Sequence, residues 1–220
     1  MKIKRKLVAA LIMLGIAGVS NASVVNFSDL STPGNGFNNL GTSVTHDGFK
    51  FSSTDGGYGN MLGVWQNSAP NHPSGGDLST SLAEYYAYSE TTMTETNNSL
   101  FQLNAIDLAA WGTGYFGTFN VTFTGTKLGG STVQQVFTVD NFSGSTPVLQ
   151  HFIFSGFTDL EKVQFTQGIW TQSSVYQFNN LVANQAQVPE PDSILLFCTG
   201  VAGLVGIRVR RKKQGRKAHS

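Results

Sequence analysis

The chain has 220 residues, with 16 phenylalanines, 25 glycines, one cysteine and a formal charge of +1. That near-neutral total hides a segregation: between Ser23 and Gln187 the only cations are Lys50, Lys127 and Lys162, against eleven anions, a formal −8 with no arginine. Such a surface repels nucleic acid and other polyanions, leaving neutral sugars or divalent cations as sensible partners, and a lone Cys198 excludes a disulfide framework.

At the start, Lys2, Lys4, Arg5 and Lys6 precede an apolar run, Leu7 to Val19, and then the small residues around Ala22. This is the order of a secretory signal, with cleavage expected after Ala22 by signal peptidase. Thirteen apolar residues make a helix of about 20 Å, short of the roughly 30 Å hydrocarbon core. The first 22 residues are therefore expected to be removed.

Residues 23–186 read as one β-rich domain. Thr118 to Thr124 alternates, with Phe119, Val121 and Phe123 on one face. Further strands are expected at Val24 to Phe27, Gly48 to Ser52, Phe101 to Ala109, Thr132 to Val139, Val148 to Phe154, Val163 to Thr166 and Val175 to Val182. Gly129-Gly130, Asn141 to Ser145 and Gly156 supply the turns between them. Many short strands with glycine-rich turns indicate an all-β antiparallel sandwich of jelly-roll type.

Residues 53–99 lack that rhythm. Asp55-Gly56-Gly57, the stretch from Pro70 to Gly76 and the polar run Ser89 to Ser99 predict an elaborated loop region, with Leu82 to Tyr88 forming a helical turn or a strand. Tyr58, Trp65, Tyr85, Tyr86 and Tyr88 fall within it, which makes it the expected ligand surface. Trp65, Tyr85, Tyr86, Trp111 and Trp170 are the candidate sugar-stacking residues, the alternative for each tryptophan being burial in the core.

Chemistry by side-chain nucleophile has little local support. His46, His72 and His151 are scattered, without a Gly-x-Ser-x-Gly elbow, and no zinc spacing occurs. Asp77, Glu84, Glu90 and Asp107 could supply the carboxylate pair of a glycosidase, although plain solvation is the commoner role of such residues. Asp29, Asp107 and Asn179 or Asn180 could meet around a structural calcium if the first and last strands are neighbours. Calcium needs six to eight oxygens, so carbonyls and water would complete its shell. The alternative is a set of turn-forming residues.

Past Val188, Pro189-Glu190-Pro191 breaks regular structure. An apolar stretch from Ile194 to Ile207 leads into Arg208, Arg210, Arg211, Lys212 and Lys213, a stop-transfer order that predicts a transmembrane helix with its cations on the cytoplasmic side. Together, residues 187–213 resemble the PEP-CTERM sorting signal of Gram-negative bacteria. The resemblance implies handling by an exosortase, a membrane transpeptidase that cleaves near the Pro-Glu-Pro motif, and a setting of exopolysaccharide and biofilm. A second resemblance starts at Phe101-Gln102-Leu103-Asn104-Ala105-Ile106-Asp107-Leu108. It continues through Thr122 to Gly125, Gly156 to Val163 and Tyr176 to Val182, and is similar to the jelly-roll ectodomains that accompany such tails. Relatives often end in Phe-Asp-Asn-Ile, whose acid suits calcium; Asn179 stands there in this chain.

The expectation is thus a non-enzymatic surface or matrix protein, membrane-anchored before processing and then at the cell surface or outside it, with exopolysaccharide as its partner. A polysaccharide hydrolase and a glycosylated structural protein are the alternatives.

Overall fold

Strands here follow from side-chain alternation against a core unusually rich in phenylalanine. The computed structural model describes residues 22–34, 36–66, 80–111, 117–141, 148–167 and 175–185. The predicted signal peptide, Pro-Glu-Pro motif, transmembrane helix and basic cluster lie outside them, and no described helix is long and apolar enough to cross a membrane.

Thirteen strands form one all-antiparallel sheet among the described residues. In chain order they are β1 (Ala22–Val25), β2 (Phe37–Gly41), β3 (Ser43–His46), β4 (Phe49–Thr54), β5 (Leu62–Trp65), β6 (Leu82–Glu84), β7 (Glu90–Glu95), β8 (Phe101–Trp111), β9 (Gly117–Lys127), β10 (Thr132–Asn141), β11 (Gln150–Ile153), β12 (Leu160–Thr166) and β13 (Val175–Gln185). The path runs β2-β5-β6-β13-β8-β12-β7-β4-β3, while β9 carries β10 on the flank of β12, β11 adds to β8, and β1 lies on β13. Leu160 opposite Phe101 is the single pairing that joins β12 to β8. At the other seam side-chain amides replace a backbone ladder: Gln135 donates to the Ile153 carbonyl (3.1 Å) and accepts from the Ser155 amide (3.0 Å), and Gln150 accepts from the Asp140 amide (3.3 Å). The sheet is therefore nearly closed, like a barrel.

The inward set confirms the alternation. Phe119, Val121 and Phe123 are buried, as are Phe137 and Val139 opposite them. Phe178 on β13 holds Phe27, Phe51 and Phe165 at ring-centroid distances of 5.7, 5.8 and 5.0 Å. Phe123 stacks on Phe165 at 4.9 Å. Each such aromatic pair contributes about 0.5–1.5 kcal/mol beyond its buried area. The first and last strands do meet, with Val25 opposite Leu181.

The reading of 53–99 as a loop region needs correction. It contains β5, β6 and β7, and β7 is an interior strand, flanked by β4 and β12. Its inward residues are Thr91, Met93 and Glu95, so an interior strand carries almost no apolar signal, and β-branched threonine supplies the propensity instead. Leu82 to Tyr88 resolves into a three-residue strand followed by a turn. Strands β2 and β3, unforeseen, cover 37–46.

Candidate functional site

The register fixes what stands at each end of the sheet. Thr54 pairs with Glu90 and Phe165 with Thr91 at one end; Phe49 pairs with Glu95 and Leu160 with Phe101 at the other. Val175 opposite Trp111 belongs to the first end, since the adjoining Tyr176 bonds Thr91. The turns that leave β4 and β6 there carry four tyrosines.

Asp55 shapes the first turn. Its Oδ1 accepts from the Gly57 and Gly59 amides at 2.7 and 2.8 Å, and these bonds hold its carboxyl below the usual value of 3.8. Gly57 and Gly59 have φ of +100° and +114°, a region that favours glycine. The turn lifts Tyr58 into solvent, 70% exposed, with its ring stacked on Tyr88 at 5.0 Å and 25°. Gly59 lies flat against Tyr86, where an added Cβ would come within 3.0 Å of the ring. Tyr86 meets Tyr85 at 5.1 Å, Tyr85 meets Phe37 at 5.3 Å, and Phe37 meets Trp65 at 5.2 Å. The aromatics thus form two sets, Tyr58 with Tyr88 and Tyr86 with Tyr85, Phe37 and Trp65, and Gly59, next to Tyr58 in the chain, packs on Tyr86.

The candidates divide accordingly. Tyr85, 37% exposed, and half-buried Tyr86 face outward in part. Trp65, only 8% exposed, lies beneath Phe37 as support. Trp111 ends β8 at this same end, and its side chain is outside the description, as is the whole of Trp170. Phe37, Tyr58 and Tyr88 complete a group whose members are far apart in sequence.

Phe37 reaches Trp65 because residue 63 is glycine. A Cβ there would strike the Phe37 ring and the Asn38 carbonyl. Gly63→Ala is expected to push β2 off β5 and cost about 1–3 kcal/mol, with loss of near-ultraviolet circular dichroism from the Phe37–Trp65 pair. An unchanged spectrum and stability would contradict that packing.

Under the tyrosines lies a polar group without exposure. Glu84 accepts from Thr91 Oγ1 at 3.3 Å and from the Met61 amide at 3.5 Å, and Thr91 Oγ1 is 2.8 Å from the Tyr176 hydroxyl, which donates to the Phe165 carbonyl at 3.1 Å. Burial, only partly offset by these bonds, raises the Glu84 carboxyl from 4.5 to about 7. Burial and the Glu84 charge likewise push the Tyr176 phenol well above its usual value. Glu84 is therefore sealed from any substrate rather than solvated.

Of the proposed calcium ligands, two come together. Asp107 Oδ2 accepts from Asn180 Nδ2 at 2.8 Å, and Oδ1 meets His151 Nδ1 at 2.7 Å. Asn180, at φ +46°, sits where the β13 register slips against β8, so this contact clamps a bulge. Asp29 lies elsewhere, 3.5 Å from His46 Nε2, which also meets the Asn26 carbonyl at 2.6 Å. Asn179 instead uses its Oδ1 to accept from the Phe27 amide at 3.3 Å. Among the described residues no three His, Cys, Asp or Glu side chains gather as a metal site.

Among solved structures, a family 29 carbohydrate-binding module variant complexed with mannohexaose is similar at a TM-score of 0.34 and 14% identity, over 74% of this chain and 92% of that one. Another variant of that module gives 0.32 and 10%, over 75% and 92%. The enzymatically active domain of bacteriophage CBA120 tailspike protein 4 gives 0.33 and 14%, over 64% of this chain and 20% of that one. Superpositions this loose carry no argument about ligand. No curated protein matches the chain. The model of the PEP-CTERM protein-sorting motif matches residues 187–212, spanning Pro189, Glu190, Pro191, Arg208, Arg210, Arg211 and Lys212, with Lys213 one position beyond. The chain therefore carries a PEP-CTERM sorting motif, which implies export, cell-surface sorting and processing by an exosortase.

Proposed function

We propose that this is a surface or extracellular matrix protein whose 23–186 domain, a sandwich of jelly-roll type, holds exopolysaccharide on its tyrosine end without cleaving it. The aromatics at this end carry the proposal: Tyr58 stands 70% exposed on Tyr88, and the Tyr85–Tyr86 pair is partly open to solvent. Aromatic faces that are rigidly supported stack on the apolar faces of sugar rings at low entropic cost. The binding role, rather than hydrolysis, is supported by the carboxylates. Glu84 is enclosed, and both oxygens of Asp107 are engaged by His151 and Asn180.

Affinity electrophoresis of the full chain, purified in detergent, tests the reading. Its mobility is expected to fall in gels containing the producing cell's own polysaccharide, and Tyr85→Ala is expected to restore much of it. Undiminished mobility of the wild type would sink the proposal. The sorting half has its own test, the intact mass of protein recovered from native cells and medium. The expected species has lost about the first 22 residues and everything beyond the Pro-Glu-Pro region. Retention of the basic tail in all species would argue for a permanently tethered protein.

A further inference from the structure

Charge is divided along the sheet in a way that narrows the ligand. All three cations of residues 23–187 stand toward one end: Lys50 opposite Thr94, Lys162 opposite Thr126, and Lys127 opposite Leu160. Anions accompany them there, since Asp47 follows β3, Glu95 ends β7, and Asp159 and Glu161 bracket Leu160. The tyrosine end differs. Asp55 immediately follows Thr54, Glu90 pairs with Thr54, and Asp140 pairs with Thr118 at the tip of β9. Among the described residues no lysine or arginine shares that end, and His151, next to the Gln150 that accepts from the Asp140 amide, is paired with Asp107. Among the described residues Tyr58 and Tyr88 are flanked in the chain by Asp55 and by Glu90, whose Oε1 accepts from Gln164 Nε2, and the stacked rings carry negative π faces.

We propose that this corner, formed by Asp55, Tyr58, Tyr88 and Glu90, selects polysaccharide bearing free amino groups, a de-N-acetylated hexosamine polymer. The inference rests on the binding function proposed above and names its ligand class. A sugar ring stacks on tyrosine whatever its substituents. A protonated amine adds attraction both to the ring faces and to the two carboxylates. Asp55 is held as a fixed anion by the amides of its own turn, so it meets the amine already charged and oriented. Polymers bearing carboxylates or sulfates are repelled by the same corner.

The test compares binding of the full chain to β-linked glucosamine oligomers and to N-acetylglucosamine oligomers of equal length, by titration at low salt and at a pH that keeps the amines protonated. The free-amine oligomer is expected to bind about tenfold more tightly, with the preference shrinking as salt is raised. Asp55→Asn keeps the acceptor for Gly57 and Gly59 but removes the charge, and is expected to shrink the preference by weakening the free-amine oligomer more than the acetylated one. Glu90→Gln serves the same end if the turn does not tolerate the first change. Tyr58→Ala should weaken both oligomers. Equal binding of the two, unmoved by Asp55→Asn, would overturn the amine preference and leave the aromatic reading standing. Binding of the amine form insensitive to Asp55→Asn, Glu90→Gln and Tyr58→Ala would overturn it too, as diffuse charge attraction. Binding of neither oligomer, nor of the native polysaccharide, would remove both readings.

Discussion

Replacing Glu84 by glutamine is expected to make the protein more stable above pH 7, by about 3 kcal/mol, and to leave it unchanged in acid. The figure is the rise of the carboxyl from 4.5 to about 7 at 1.36 kcal/mol per unit. The sign follows from where the proton is held more tightly. The folded state keeps the proton on Glu84 up to about pH 7 because burial penalises the anion, whereas the unfolded chain releases it near 4.5. Stability is thus full below 4.5, declines as pH rises through that window, and has lost this contribution above 7. Glu84→Gln keeps the shape of the protonated acid: its carbonyl can still accept from the Met61 amide, and its amide nitrogen, like the carboxyl proton, can donate to Thr91 Oγ1. Urea unfolding of wild type and Glu84→Gln across this range would show the two curves separating between pH 4.5 and 7. Parallel curves would mean that water reaches the carboxylate.

The largest loss is expected from Phe178→Ala. Phe178 has no exposure and touches Phe27, Phe51, Phe165 and Tyr176, residues from four different parts of the chain. Removing the ring forfeits its transfer free energy and leaves a cavity that a ladder-bound strand cannot close, about 3–5 kcal/mol in all. A chain without disulfides in its domain depends on such packing alone. Val136→Ala, half-exposed on β10, should change stability by less than about 0.5 kcal/mol. The difference is read as a shift in urea midpoint at constant slope. Similar midpoints for the two variants would show that Phe178 is not central to the core.

How much of this could be read from sequence depended on where apolar residues alternate. β9 and β10 did, and their inward phenylalanines and valines are where the pattern puts them. β5 did not: Leu62, Gly63, Val64 and Trp65 are all buried, on both faces, so the strand has no period to detect. β7 hides its inner face behind Thr91 and Glu95. The tyrosines were legible as a group because they crowd a short stretch. Phe37 was not, because it joins them only through β2 pairing with β5 and through the space left at Gly63. Glu84 resembles any solvated carboxylate in sequence. Its burial comes from the meeting of β6, β7 and β13, which no local pattern announces. The sorting motif was legible because its signal is composition and order rather than tertiary contact.

The most direct test of the account is the affinity of the full chain, in detergent, for the exopolysaccharide of its own cells, measured beside the double variant Tyr58→Ala/Tyr85→Ala and the control Leu128→Ser. Leu128, 65% exposed, lies in the β9–β10 turn at the opposite end of the sheet. The account predicts that the wild type and the Leu128 variant bind alike, and that the double variant loses about 2 kcal/mol or more, some thirtyfold in Kd. Equal binding by all three, with folding intact, would contradict it and move the search for the ligand surface away from the tyrosine end.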